Sequence, residues 1–184
     1  MINKNASIRL AMVLATGLAL VACNKSPQPE TATAPANTQT SIVTADAGPV
    51  ADQIQQGLPA KSENVIEAKQ SAKDGQNIVL VGRVKDFVDG ASVLTLADES
   101  LEDCTRHEMD SCPTPWDYCC VAPDVVSSGT ATVKLVNAAG EPMLTGLKGV
   151  KGIDHLVQLA AEGKVVRDET GNLVVEASRL YVKQ

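Results

Sequence analysis

The chain has few aromatic side chains: one phenylalanine, one tryptophan and two tyrosines among 184 residues. A hydrophobic core must therefore be built mainly from valine, leucine, isoleucine and alanine. The chain also has little positive charge, since its formal net charge is −6. Binding to DNA or RNA without sequence preference depends on neutralising phosphates with lysine and arginine. The composition therefore predicts no nucleic-acid partner.

Common catalytic motifs are missing as well. No Ser-His-Asp set, no phosphate-binding glycine loop and no Glu-x-x-His pair stands out in the sequence. Redox-active thiols usually form Cys-x-x-Cys at a helix N-terminus, where the helix dipole lowers the thiol pKa, and this motif is absent. The sequence therefore favours a non-catalytic protein over an enzyme.

The N-terminal residues have the charge and hydropathy of an export signal. Lys4 and Arg9 form a short basic region. It is followed by an apolar run, 10–21, which is too short to span a bilayer as a helix. The following Leu-Val-Ala-Cys, 20–23, resembles the lipobox of bacterial lipoproteins. The resemblance implies a signal peptide over residues 1–22 and a lipid on Cys23 that anchors the chain in the cell envelope. Asn24 implies the outer membrane, facing the periplasm. The alternative is an ordinary secretory signal with a chance cysteine.

Residues 23–56 are rich in proline, alanine, threonine, glutamine and serine and show no periodicity. Such a composition cannot offset the entropy of ordering. It predicts a flexible tether with a coil span of roughly 30 Å. The remaining residues, 57–184, are predicted to form the folded domain.

Within this domain, Ser62 and Gly75 are candidate caps for a short helix near residues 63–73. Alternating apolar residues then predict a mainly β fold. Gly82 inside the first strand predicts a bulge or sharp bend. The predicted strands are 77–88, 91–97, 130–137, 156–167 and 172–182. The predicted core includes Leu80, Val84, Leu94, Leu173 and Val175.

Three segments of this pattern resemble bacterial OB-fold domains: 79–84, with the sequence Val-Leu-Val-Gly-Arg-Val, 163–167 and 171–177. The resemblance implies a small five-stranded OB-like barrel with a short N-terminal helix and a cysteine-rich insert, 98–124, between strands 2 and 3. It does not carry over nucleic-acid binding, because the basic groove of such proteins is absent. The alternative architecture is a β-sandwich.

The insert holds four cysteines with the spacing Cys104-x7-Cys112-x6-Cys119-Cys120. An even number of thiols in an oxidising compartment predicts two disulfides. A bridge between the adjacent cysteines is disfavoured by ring strain. We therefore expect Cys104 and Cys112 each to pair with one member of the adjacent pair, with Trp116 lying over the bridges.

A metal site is the alternative interpretation of the insert. Thiolates, with or without His107, can hold Zn²⁺ in a tetrahedron, and soft thiolates also suit Cu⁺. Against a metal, the chain has no Cys-x-x-Cys knuckle. A thiol-redox protein is a third interpretation. The alternative metal ligands are Cys104, His107, Cys112, Cys119 and Cys120.

The insert is also acidic, with eight carboxylates against one basic residue, Arg106, and therefore a net charge of −7. It is either a solvated loop or a surface that attracts a cation or a basic partner. The candidate binding surface is Trp116, Asp117 and Tyr118. The sequence predicts an envelope-anchored, non-catalytic binding or structural module without a cofactor; the alternative is a zinc- or copper-binding or thiol-redox protein.

Overall fold

The computed structural model describes residues 48–106 and 112–183. The predicted signal peptide, Cys23, most of the tether and His107 lie outside these ranges. Among the described residues, no helix is long and apolar enough to cross a membrane.

Within these ranges the chain forms seven strands and three short helices. In chain order they are α1 Gly48–Asp52, β1 Ile54–Gln56, β2 Glu63–Asn64, α2 Val65–Ser71, β3 Asn77–Phe87, β4 Val93–Ala97, α3 Pro123–Ser128, β5 Thr130–Leu135, β6 Gln158–Arg167 and β7 Leu173–Val182.

Strands β3 to β7 close into a barrel. Around the barrel, β3 pairs with β4, β4 with β5, β5 with β7, β7 with β6, and β6 with β3. Only the β5–β7 pair is parallel among these five. The short strands β1 and β2 extend the sheet by pairing in parallel with β7 and β3. The predicted fold class, a mainly β chain with a small five-stranded barrel and a short preceding helix, is confirmed. The β-sandwich alternative is wrong, because all described strands belong to one closed sheet.

The core fills the barrel with the aliphatic side chains that alternate along each strand. All five predicted core residues are fully or almost fully buried: Leu80, Val84, Leu94, Leu173 and Val175. Strict alternation along β3 would place Val88 on the same face as Val84, but Val88 is half exposed. The reason is an irregularity in the β3–β4 pairing between Val84 and Asp86, which shifts the alternation before the strand ends at Phe87.

Helix α2 is shorter than predicted, and its cap is Asn64 rather than Ser62. The Asn64 Oδ1 atom accepts a hydrogen bond from the Glu67 amide at 2.8 Å. Val65 packs against the barrel where β3 carries Gly82. A Cβ atom at Gly82 would lie 3.3 Å from Val65 Cγ2 and 2.6 Å from the Ala97 carbonyl oxygen. This glycine therefore permits close packing rather than marking the register shift, which lies two residues later.

The predicted end of the tether at residue 56 is wrong. Residues 48–56 form α1 and β1, and Ile54 is paired in register with Leu180 of β7. Val50 and Ile54 are both buried in the core. The composition of residues 23–56 as a whole is polar, and it therefore gave no indication of these two apolar side chains. Their burial attaches the segment to the barrel.

Candidate functional site

The cysteine insert lies between β4 and β5 and packs on one side of the barrel. It begins at Asp98, forms a single 3-10 turn over Cys104–Arg106, and ends with α3 before β5 begins at Thr130. Asp98, the first residue of the insert, is buried. Its carboxylate accepts hydrogen bonds from the Ile66 amide at 2.9 Å and from the Ser100 hydroxyl at 2.6 Å. The first residue of the insert therefore holds the start of α2 against the barrel.

Three of the four cysteines meet in space. The sulfur atoms of Cys104, Cys112 and Cys119, named here the thiol cluster, all lie within 4.8 Å of one another. The Cys119 Sγ is 3.1 Å from the Cys104 Sγ and 3.7 Å from the Cys112 Sγ. Cys119 is thus the common neighbour of the other two. The structure therefore brings together three of the four cysteines that the sequence assigns to disulfides or, alternatively, to a metal site.

Backbone hydrogen bonds bring the two ends of the cluster together. The Cys104 amide donates to the Asp117 carbonyl at 2.9 Å, and the Asp117 amide donates to the Thr114 carbonyl at 2.8 Å. The second bond closes a turn over 114–117, which is stiffened by Pro115 within it and Pro113 just before it. The first bond places Cys104 beside the segment that carries Cys119.

Tyr118 belongs to the interior, so its assignment to a binding surface is wrong. Its side chain is only 2% exposed and packs with Ala97 and Leu101 in a small second core. Its position between polar residues in the sequence suggested exposure, but the insert has few other large apolar groups with which to cover itself. Burial raises the pKa of the Tyr118 hydroxyl. This ring anchors the residue immediately before Cys119.

Arg83 of β3 fixes the other half of the insert. Its guanidinium donates to the Asp103 carboxylate at 2.7 Å and to the carbonyls of Glu99 and Leu101. Asp103 is 1% exposed. Burial by itself would raise the pKa of Asp103, but hydrogen bonds from Thr105 and the charge of Arg83 outweigh it and hold the pKa below its usual value. The carboxylate therefore stays charged, and it precedes Cys104 directly.

Trp116 stacks on a histidine rather than on the sulfur atoms it was expected to cover. The rings of Trp116 and His155 are 4.8 Å apart at an interplanar angle of 23°, and the rings of Phe87 and His155 meet edge-on at 5.0 Å. The His155 Nδ1–H donates to the Lys85 carbonyl at 2.7 Å. Lys85 also lies 3.6 Å from the Asp117 carboxylate. Trp116 and Asp117 therefore attach the insert to the barrel and leave part of each side chain exposed.

Sequence reasoning missed Arg83, His155 and Asp98 as parts of the site. Arg83 and Asp98 lie at or near strand positions where a charged side chain is typical of a solvent-exposed face. The sequence did offer one indication of the ion pair. A buried charge needs a partner of opposite charge, and the single arginine of β3 could have been matched with a carboxylate of the acidic insert. No comparable signal marked His155, because its ring partners are distant in sequence.

The thiols influence one another electrostatically. Hydrogen bonding with the thiols of Cys104, Cys112 and Cys120 raises the pKa of Cys119. In contrast, hydrogen bonds from the hydroxyl group and the backbone of Thr114 lower the pKa of Cys112.

Two kinds of chemistry fit this arrangement. Four sulfurs around a zinc ion at a Zn–S distance of about 2.3 Å lie about 3.8 Å apart, which is close to the Cys112–Cys119 separation of 3.7 Å. A disulfide requires an S–S distance of about 2.05 Å, and the sulfur atoms of Cys104 and Cys119 are 3.1 Å apart. The predicted disulfides remain a prediction, and the fifth alternative metal ligand, His107, lies outside the described residues.

Comparison with known proteins adds no assignment. A scan against protein-family models and a search of curated proteins found no match to this chain.

Proposed function

We propose that this chain is a lipid-anchored protein of the bacterial cell envelope that binds a thiophilic metal ion, Zn²⁺ or Cu⁺, through Cys104, Cys112 and Cys119. The observation that carries the proposal is the convergence of three sulfur atoms within 4.8 Å. The barrel serves as a rigid, non-catalytic support. The lipobox at residues 20–23 supports the anchor and the location facing the periplasm.

Preorganisation of the ligands supports a metal ion. Cys104 follows Asp103, which is bound to Arg83 of the barrel, and Cys119 follows Tyr118, which is buried. Ligands attached to rigid elements need little reorganisation when the ion binds. Thiolates are soft ligands that suit both Zn²⁺ and Cu⁺.

A disulfide-stapled structural module is the second candidate. It is supported by the 3.1 Å separation of the Cys104 and Cys119 sulfur atoms and by the oxidising compartment that the leader implies. A disulfide between these residues would close a 15-residue separation and contribute about 3 kcal/mol in the chain-entropy model. It would leave Cys112 and Cys120 for a second bridge, as the sequence predicts.

Metal analysis and thiol counting on the same sample separate the candidates. The full chain is prepared with Cys23→Ser, so that only the insert cysteines remain, and is purified with and without added zinc or anaerobic Cu⁺. We expect one ion per chain and four thiols that react after chelation and unfolding. A sample that contains no ion and no reactive thiol would contradict the metal centre and support two disulfides instead.

Single substitutions then identify the ligands. Cys104→Ser, Cys112→Ser and Cys119→Ser should each weaken metal affinity by at least about 100-fold, because even outer-shell partners of a metal are worth about 10–100-fold. Cys120→Ser is the matched control and should have a smaller effect if the three-sulfur set holds the ion. His107→Ala tests the nitrogen ligand that the sequence offers. Equal, small effects of all four serine variants would contradict the assigned ligand set.

The anchor has its own test. In the otherwise native chain, Cys23→Ser should abolish lipid attachment and cleavage of the leader. Intact-mass measurement should show lipid on a cleaved native chain, and an unmodified chain that retains residues 1–22 in Cys23→Ser. Absence of lipid mass from the native chain would contradict the anchor and leave the metal centre unaffected.

A further inference from the structure

The four cysteines of the insert differ in solvent exposure, from buried to exposed. Cys104 is buried at 3% exposure and belongs to the inner side of the insert, Cys112 is half-buried, and Cys119 and Cys120 are exposed. Cys119, which neighbours both other members of the cluster, therefore also borders solvent. An ion bound by the cluster would be sheltered on the Cys104 side and accessible on the Cys119 side.

This gradient is unlike that of a structural metal site. The four ligands of a structural zinc site are normally closed off from exchange. Here Cys104 is buried, whereas Cys119 and Cys120, whose thiols are hydrogen-bonded to each other, are both exposed. An incoming ligand can therefore reach the ion from the side of Cys119 and displace one of these exposed thiolates.

We infer that the ion is exchangeable cargo, handed to or from a thiol-bearing protein partner at the Cys119 side. The inference rests on the proposed metal function and specifies its partner. The exchange is a ligand substitution without oxidation or reduction. The partner's thiol forms a new metal–sulfur bond, the metal–Cys119 bond breaks, and the proton lost by the partner's thiol passes to the Cys119 sulfur. Repetition at Cys112 and then Cys104 completes the transfer.

The charge of the insert indicates the kind of partner. Asp98 and Asp103 are buried and satisfied by neighbours within the fold. The remaining carboxylates of the described part of the insert face solvent, fully or in part: Glu99, Glu102, Asp117 and Asp124. Since complementary charge mainly accelerates encounter, the partner is expected to carry basic residues around its thiols.

The experiment follows zinc transfer from the loaded Cys23→Ser full chain to synthetic peptides. Two peptides carry the same pair of cysteines, one surrounded by lysines and the other by glutamates. Quenched mixing, separation and metal analysis of both products give the rate. We expect the rate to rise in proportion to peptide concentration. The lysine peptide should react at least about 10-fold faster at low salt, with the difference shrinking as salt screens the charges.

The matched variant is Glu102→Gln with Asp124→Asn, which removes two exposed charges and no sulfur. It should reduce the advantage of the lysine peptide and leave metal affinity unchanged. A transfer rate independent of peptide concentration would mean that the ion leaves only by dissociation from a closed site, and would overturn the inference. Equal transfer rates for both peptides would contradict the expectation that the partner carries basic residues around its thiols. Failure to load either zinc or Cu⁺ would instead overturn the proposed function, so the two failures are distinguishable.

Discussion

Arg83 and Asp103 form an ion pair that is almost entirely removed from solvent. The Nη1 atom of Arg83 lies 2.7 Å from Oδ2 of Asp103, and the two side chains are 13% and 2% exposed. Arg83 belongs to the barrel and Asp103 to the insert. The pair therefore joins the scaffold to the residue that precedes the innermost cysteine.

Breaking this pair should loosen the insert. Arg83→Met leaves the Asp103 carboxylate buried without a counter-charge and removes the donors to the Glu99 and Leu101 carbonyls. We expect a loss of about 3–5 kcal/mol in the free energy of unfolding. Chemical denaturation measures the loss, and hydrogen exchange should show faster exchange at 99–106. The control is Arg179→Met, whose ion pair with Glu162 is solvent-exposed at 3.8 Å and should cost at most about 1 kcal/mol. Equal losses in both variants would contradict the role of the buried pair.

Asp98 should make the domain sensitive to acid. Burial alone would raise the pKa of Asp98, but hydrogen bonds from Ile66 and Ser100 outweigh it and lower the pKa. A carboxyl group whose pKa is lower when folded stabilises the fold above its unfolded pKa of about 3.9. This stability is lost as the pH falls through the folded pKa.

Asp98→Asn should therefore cost about 1.5–3 kcal/mol at neutral pH, the usual range for hydrogen bonds to a charged group, and should flatten the dependence of stability on pH below about 4. The measurement is the denaturation midpoint as a function of pH. Glu169→Gln, at an exposed hairpin position, is the control and should leave the curve unchanged. If the denaturation midpoint of Asp98→Asn fell with pH as steeply as that of the native chain, groups other than Asp98 would be responsible for the acid sensitivity.

Gly163 should tolerate no side chain. It lies at the register shift in the β6–β7 pairing, and a Cβ atom there would lie 2.6 Å from the Ala177 Cα atom. Gly163→Ala must push two paired strands apart, so we expect destabilisation of at least about 1–3 kcal/mol. Gly146→Ala is the matched control, because its nearest neighbour would be 3.9 Å away. A melting temperature of Gly163→Ala equal to that of the control would contradict the close approach.

His155 should govern the docking of the only tryptophan. His155→Ala removes the ring on which Trp116 stacks, and aromatic pairs contribute about 0.5–1.5 kcal/mol beyond buried area. We expect a red shift in Trp116 fluorescence and faster hydrogen exchange at 114–120, with the barrel unaffected. His155→Phe keeps a ring and should preserve the fluorescence, although it loses the hydrogen bond to Lys85. Unchanged fluorescence in His155→Ala would show that the stack does not hold the insert.

The strand pattern was predictable because burial in a barrel alternates with period two. Leu80, Val84 and Leu94 could be assigned to the core without knowledge of which strands pair. The exposure of Val88 could not be predicted, because the irregularity in the β3–β4 pairing changes which side chains face the core and has no recognisable pattern in the sequence. The convergence of the cysteines was foreseeable from their spacing. The roles of Tyr118 and Arg83 were not, because each depends on contacts between the insert and distant parts of the barrel.

The insert leaves and re-enters the barrel at adjoining points. Ala97 at the end of β4 is paired in register with Thr130 at the start of β5, so a tight hairpin turn could join the two strands. The thirty-two intervening residues, 98–129, are therefore topologically a long hairpin loop, and the barrel's strand order does not depend on their length. Chains with the same barrel can accordingly carry a different insert, or only a turn. A search for relatives should compare strands and insert separately, since the two segments are free to change at different rates.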